Sequence, residues 1–556
     1  MAAEAPVTRI AVIALAALAC FALACDPAPP PAGVAPPDLT ATRPPDARTP
    51  VAVDLVDTDE AARVGAALEA AGFALDASAG ARVSDRALAG GAVHPVAAWA
   101  LVAHPRVERL DLTLDEAHAV LRGEIDAWEA LEADARPLPL ALYLSAEAAP
   151  WAAREFPGHP GTVLPLAEVI ARVAAEPGAV GLVPYEAPEL GVVALTVDGH
   201  DPYRDPAATA PLADRRWVLA SDDVTATRIA SAAGWTAVST YDPAGILATG
   251  ELIPARCVHS TLTSDGRTHD SMFDATRDLI AAADYAIAPW EPSVVDAEPT
   301  PCTLTFNLQA APEAAEAVAR AGFDVAFTVG NHLGDCWTEC AATEAMRETV
   351  RLLRNAGLAT TGAGDDLAEA AAAHTDEIDG VRFAFLAYDE VAREFYGAGD
   401  DHAGTNPLDD LDRLVGDVRL ALESADHLIV GFSWGVEYVS DPSSAQIEAA
   451  RAVMDAGASL VVGNHPHWVQ ATERMGRGVV LYALGNFVFD QDWSVETQQG
   501  LIVEAGFTAD RMLGIRYRPV MIRERHRPEP VSPASAEGRA ILDQLWAATD
   551  RRGTRD

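Results

Sequence analysis

The stretch "VVGNHPHWVQ", Val461–Gln470, joins an apolar run to two histidines that bracket a proline. A buried strand has no use for two imidazoles, and a solvent loop needs no approach by "ASLVV". A strand ending in Asn464-His465-Pro466-His467 therefore predicts a site. Pro466 fixes the backbone between the rings, and a pre-set turn lets both face one cavity.

Working outward, the pattern recurs. "WVLAS" is followed by Asp222 and Asp223, "DYAIAPW" by Glu291, and "FDVAFTVG" by Asn331, His332 and Asp335. "HLIVGFSWG" leads to Glu437, and "VVLYALG" to Asn486 and, past "FVF", Asp490. Each residue alone reads more often as a cap, a turn or a loop contact; the joint pattern points to a site. Between these runs, helices are expected at Ala311–Ala321, Glu339–Ala356 and Ser444–Ala456. Continuous apolar strands alternating with helices predict buried sheets covered by helices, with ligands gathering beyond the carboxyl ends of the strands. Imidazole, carboxylate and Asn carbonyl oxygen suit a divalent ion such as Mn, Zn or Fe. One or two such ions would activate water for attack on a phosphoester or similar bond.

These residues resemble the CapA-type poly-γ-glutamate capsule-synthesis family, which has a calcineurin-like metallophosphoesterase fold. The family's GDVMLGR, NLE, ANNHxxD, HWGxEY, GHHPHVxQ and YSLGNFxFD are matched to "DDVTATR" (Asp222–Arg228), "PWE" (Pro289–Glu291), "VGNHLGD" (Val329–Asp335), "SWGVEY" (Ser433–Tyr438), "GNHPHWVQ" (Gly463–Gln470) and "YALGNFVFD" (Tyr482–Asp490). The resemblance implies metal ligands at Asp223, Glu291, Asn331, His465 and His467. It implies His332 with Asp335 as the acid for a leaving group, and supporting roles for Arg228, Glu437, Asn464, Asn486 and Asp490. The departures thin a two-metal site: Asp222 replaces the first glycine, Thr225 stands where a metallophosphoesterase would want a histidine, and Pro289, Gly330 and Ser433 replace Asn, Asn and His. The resemblance also implies partners: an anionic surface polymer and its synthase. A phosphoesterase acting on another periplasmic substrate and a decayed binding lipoprotein are the alternatives.

Ahead of this region, "LTLDEAHAVLRGEIDAWEAL" (Leu112–Leu131) predicts a helix capped by Thr113, with an apolar face of Ala117, Val120 and Leu121, ended by Gly123 and anchored by Trp128. With "EPGAVGLVPYEA" (Glu176–Ala187) it resembles the phosphate-binding-protein type of periplasmic solute receptor, in reduced form; a purely structural α/β module is the alternative. The expected architecture is thus α/β throughout: a periplasmic-binding-protein-like domain over 51–205, a Pro-rich linker over 206–216, a calcineurin-like α/β sandwich over 217–530, and a short helix and tail over 531–556.

The N-terminal "RIAVIALAALACFALAC" reads as a secretory signal over 1–25, with Cys25 (or Cys20) lipidated and the Pro-rich 26–50 a tether. The expectation is an extracytoplasmic lipoprotein anchored to the membrane, or a secreted protein. Cys257, Cys302, Cys336 and Cys340 then predict two disulfides, with three connectivities open and a metal–thiolate cluster the alternative. A formal net charge of −42 disfavours nucleic acid as a partner. The sequence has no lysine, which excludes a Walker-type loop, a Schiff-base lysine and a Ser-Lys pair.

Overall fold

The computed structural model describes residues 49–553 except 56, 236–241 and 338–339. The signal, both candidate lipidation cysteines and the tether up to residue 48 lie outside the described residues. Among the described residues no helix is long and apolar enough to cross a membrane.

Two α/β domains follow one another. The first is built on a nine-stranded sheet, with Ala92–Ala103 and Ala179–Pro184 at its centre. The helix Leu114–Arg122 forms for the expected reasons: the Thr113 hydroxyl accepts from Glu116 N at 3.2 Å, the Glu116 carboxylate accepts from Thr113 N at 2.8 Å, and Gly123 ends it at φ +72°. Trp128 is buried and its indole N–H donates to the Gly178 carbonyl at 3.2 Å, so the two receptor-like stretches meet in one core.

The domain boundary differs from expectation. The strand Ala213–Leu219, which contains most of "WVLAS", pairs antiparallel with both Ala81–Ser84 and Ala92–Ala103. The following helix Asp223–Ala232 packs with Thr58–Ala70. Residues 206–235 therefore complete the first domain. The Pro-rich run is no free linker: Arg216, buried, pairs with Asp214 and Glu60 across that sheet. An apolar strand followed by two aspartates fits either sheet by pattern alone; non-local pairing decides which one takes it.

The second domain starts at the strand Ala244–Thr249 and is a sandwich of two sheets. One runs, in spatial order, Ala359–Thr361, Val325–Thr328, Tyr285–Trp290, Ala244–Thr249, Gln499–Thr508, Arg511–Arg523 and Arg527–Pro530. The other runs His374–Ile378, Val381–Asp389, His427–Ser433, Leu460–Asn464, Gly478–Leu481 and Thr472–Met475. Their facing sides share one core, with Ile246, Ile287 and Phe327 from the first sheet against Phe385, Ile429 and Val462 from the second. Helices cover the outer faces: Pro312–Ala321 and Ala342–Ala356 on one, Leu411–Ala421 and Ser444–Ala456 on the other. Continuous apolar strands are what this double burial requires.

The C-terminal helix, expected to be short, spans 17 residues, Ala536–Arg552. It reaches both domains: Trp546 packs on Tyr517 at 5.3 Å, and Asp543 accepts from Arg136 at 2.8 Å. The four cysteines form two disulfides, Cys257–Cys302 and Cys336–Cys340.

Candidate metal centre

The parallel strands of both sheets end at the same edge of the sandwich, and there the polar residues converge. Glu251 follows the first strand of the domain, Glu291 the second, and His467 the turn after Leu460–Asn464. Their ligand-type atoms lie within 4.8 Å of one another and all three side chains are buried. His467 Nδ1–H donates to Asn486 Oδ1 at 3.0 Å, and the same nitrogen lies 2.7 Å from Glu251 Oε2, a buried carboxylate oxygen that has no hydrogen-bond partner. The other oxygen of Glu251 accepts from His465 N.

The electrostatics follow from burial. Desolvation alone would lower His467, but the Glu251 carboxylate reverses this and holds the imidazole above its ordinary value. For Glu251, burial is overcome by His467, and the carboxylate lies below its ordinary range. Glu291 has no such partner: burial and the neighbouring Glu251 push it well above the ordinary range. The environment thus pushes the two glutamates apart, Glu251 toward its charged form and Glu291 toward its neutral form. His465 is lowered to about 3 by burial and by its neighbour His467, so it is neutral.

Around this core several buried polar atoms have no hydrogen-bond partner: Glu291 Oε1, Asn331 Oδ1, Asn464 Oδ1, His465 Nδ1 and Ser433 Oγ. Orphaned buried atoms of this kind are costly and need an explanation. A space of about 10 Å³ lies between Glu251, Glu291, Ser433, Asn464 and His465, room for one water or one small ion. Carboxylate, imidazole and amide oxygen are the donors that a hard or borderline divalent cation takes, and the residues present fit such an ion.

The backbone is shaped to this end. His465 and His467 have φ of +91° and +59°, an arrangement held by the surrounding contacts and concentrated at functional sites. Pro466 lies between them, and its carbonyl accepts from Tyr438 N at 2.8 Å, tying the His-Pro-His turn to the "SWGVEY" loop. Gly330 sits at φ +146°, and a Cβ there would stand 2.7 Å from Glu291 Cγ. Glycine is required so that the backbone can approach that carboxylate. Gly330→Ala should displace Glu291 and weaken metal binding about tenfold or more, read by metal titration, with both domains still folded.

His332 stands at the mouth, its Nδ1 2.7 Å from Asp335 Oδ2. Asp335 also accepts from Leu308 N at 2.7 Å, which fixes it as an orienting group. Asn331 and Asn464 contribute orphaned oxygens, whereas Asn486 is spent on the His467 ring, Gln491 and the Thr497 carbonyl. Glu437 is half-buried on the "SWGVEY" loop, within electrostatic reach of Glu291 and His467.

Two assignments are overturned. Asp223 lies on an exposed helix of the first domain, and Asp222 is that helix's cap, accepting from Thr225 N at 2.8 Å. Arg228 stacks its guanidinium over Phe73 of the same domain. Their places are taken by Glu251 and Arg256 in "TGELIPAR" (Thr249–Arg256), which follows the first strand of the sandwich. Arg256 pairs with Asp490, which also accepts from Cys257 N at 2.9 Å. Asp490 therefore anchors the loop beside the centre. The signal for Glu251 was an apolar strand, "AGILAT", ending in Gly-Glu.

Residues 245–491 match the family described as Bacterial capsule synthesis protein PGA_cap. The match begins inside Ala244–Thr249 and so includes Glu251 and leaves out Asp223. The PGA biosynthesis protein CapA of Bacillus subtilis (strain 168) is 28% identical over 316 residues, covering 55% of this chain and 80% of the relative. The capsule biosynthesis protein CapA of Bacillus anthracis is 30% identical over 250 residues, 44% of this chain and 59% of the relative. Among solved structures, the NAD nucleotidase NadN of Haemophilus influenzae overlaps 55% of this chain and 62% of its own at 11% identity, with a TM-score of 0.33. An ABC-type phosphate transport receptor from Vibrio cholerae overlaps 34% and 94% at 14% identity, with a TM-score of 0.24. Structural overlaps this slight bear on neither fold nor function.

Proposed function

We propose that the protein, whose second domain is similar to CapA capsule-synthesis proteins, acts in the synthesis, release or anchoring of an anionic surface polymer such as poly-γ-glutamate, by metal-assisted hydrolysis or transfer. The observation that carries this is the convergence of Glu251, Glu291 and His467 beside unpartnered oxygens of Asn331 and Asn464. We assign one divalent ion to these residues, because Pro289 and Ser433 leave too few ligands for a second. When bound, the ion supplies a Lewis acid to a carbonyl or phosphoryl oxygen. The chain's own residues do the rest. His332, held by Asp335 through Nδ1, presents its other ring nitrogen to give or take a proton at the leaving group. The buried His467–Glu251 pair keeps the cluster fixed and excludes bulk water.

We further assign the protein to the outside of the cytoplasm, held by lipid at Cys25 near a polymer synthase. Two disulfides support an oxidising compartment. Pro289 and Ser433 favour a second reading, a lipoprotein that binds and does not cut.

The test is metal content and turnover. The chain would be purified without chelator or tag histidines, its bound metals quantified, and γ-linked glutamate oligomers and a chromogenic phosphodiester offered as substrates. Near-stoichiometric metal with metal-dependent cleavage or transfer of the glutamate chain is expected. Metal without turnover moves the balance to the binding reading. A chain that stays metal-free after reconstitution overturns both the centre and the enzyme.

A further inference from the structure

The rim of the metal centre has a composition that the proposed reaction does not use. Among the described residues of the second domain, ten large apolar side chains are exposed. Nine of them stand on connections at the strand ends that carry the centre, eight on loops at 304–306, 337, 436–439 and 493–495 and Phe395 on the short helix Arg393–Tyr396; the tenth is Leu420 on an outer helix. Scattered singly, such residues need no explanation, but grouped around a site they do.

Two of them are close to the centre and to each other. The rings of Trp493 and Tyr438 meet edge to face with centroids 6.1 Å apart, and Tyr438 lies 5.8 Å from the ring of His467. Trp493 is 60% exposed. Tyr438 is held in place from several sides: its backbone sits at φ +61°, its N–H donates to Pro466, and its hydroxyl accepts from Gln491 Nε2 at 3.2 Å. A strained, pinned aromatic beside a site marks preorganisation. Next to it stands Glu437, whose charge reaches both Glu291 and His467.

The charges at the mouth have one sign to spare. The arginines there face carboxylates: Arg256 is paired with Asp490, Arg525 with Asp492 at 2.7 Å, and Arg393 with Glu390 at 3.8 Å. Glu437 has no arginine beside it among the ion pairs of the described residues. The whole chain, at −42, gathers cations and repels anions.

We propose that the mouth binds an ammonium group: the faces of Trp493 and Tyr438 with the carboxylate of Glu437 form an open cage for the alkylammonium of a substrate or acceptor. Aromatic faces attract cations through the ring quadrupole, and a carboxylate at the same place adds charge complementarity. A lipid surface or a neutral chain would use the rings but not the carboxylate, and a polyanion would be repelled by it. The inference deepens the proposed site and rests on that centre being where substrate enters. An anionic polymer would then be engaged through the metal, and its amine-bearing partner through the cage.

The test uses the full chain and two probes of equal shape, choline and its neutral isostere 3,3-dimethylbutan-1-ol, followed by isothermal titration. Choline is expected to bind saturably and about tenfold more tightly than the alcohol. Trp493→Leu and Glu437→Gln should each weaken choline binding about fivefold, while bound metal in Trp493→Leu stays at the parent level. Equal binding of the two probes overturns the cage and leaves an apolar docking rim. Unchanged choline affinity in the variants overturns it as well. Should Trp493→Leu fail to fold, Glu437→Gln decides alone. Loss of metal from the parent with choline binding intact would sink the metal centre and spare the cage.

Discussion

His467→Ala is expected to strip the second domain of its metal, with affinity falling by roughly two orders of magnitude or more, beyond the 10–100-fold typical of outer-shell changes. The argument is local. His467 is the only imidazole in the three-residue cluster, and its removal leaves two adjacent carboxyl groups, one of them pushed toward its neutral form by burial and by the other. The substitution also removes the partner that keeps Glu251 ionised in a buried place, so loss of metal and loss of stability arrive together. His467→Gln separates them. A glutamine amide can still donate to Asn486 and stand beside Glu251, while its neutral oxygen is a poor substitute for imidazole as a ligand. The expected outcome is near-parent melting and no retained metal in His467→Gln, measured by elemental analysis and thermal denaturation on one preparation. Parent-level metal in that variant would show that His467 is structural, and would return the ligand role to His465 and the asparagines.

The reach and the limits of sequence reading show in the same cluster. His465, His467, Glu291, Asn331 and His332 were legible because each follows an apolar strand, and parallel strands deliver their ends to one edge. Glu251 was hidden. The strand before it, "AGILAT", is rich in small residues, and a glutamate stands where the capsule-synthesis motif has aspartate. "DDVTATR" offered the aspartate in a similar frame, and nothing in its letters says that the strand before it closes the sheet of the other domain. Helix Leu114–Arg122 was readable to the residue, because caps and apolar spacing act within a few positions of the chain. Disulfide number followed from an even count, but pairing needed the fold: Cys257 meets Cys302 because Arg256, paired with Asp490 across 234 positions, also donates to the Thr305 carbonyl of the loop that carries Cys302. The linker failed for the same reason, since proline content marks a turn without saying whether the chain returns to its own sheet.

Arg516→Met is expected to be the most destabilising single change outside the metal centre, by about 3–5 kcal/mol, or a lowering of the melting temperature by roughly 6–10 °C. Arg516 lies on the long strand Arg511–Arg523 of the second domain and is fully buried. It donates to both oxygens of Asp201 at 2.9 and 3.0 Å, to Glu504 at 3.1 Å and to the Ala194 carbonyl at 2.8 Å, over the ring of Tyr203. Three of these partners belong to the first domain, so one guanidinium fastens the two together. Methionine fills the space but leaves Asp201 buried without its counter-charge, whereas Glu504 keeps Arg518 at 2.6 Å. Arg516→Met with Asp201→Asn should therefore recover most of the loss, since replacing a buried pair by neutral groups is far milder than orphaning one member. The pH dependence carries the same signature. Burial alone would raise Asp201; Arg516 overcomes it and holds the carboxyl below its ordinary 3.8. In the parent this contribution is complete above that value and is lost only as pH falls through the lower, folded one. In Arg516→Met burial is opposed only by the Tyr203 N–H and the charge of Arg204, the folded pKa is expected above the unfolded one, and proton uptake favours the native state. The stability gap between variant and parent should consequently narrow between pH 7 and pH 5 in parallel denaturant titrations. A gap that stays constant over that range would mean that Asp201 is solvated in the variant, and that the junction between the domains opens once its guanidinium is gone.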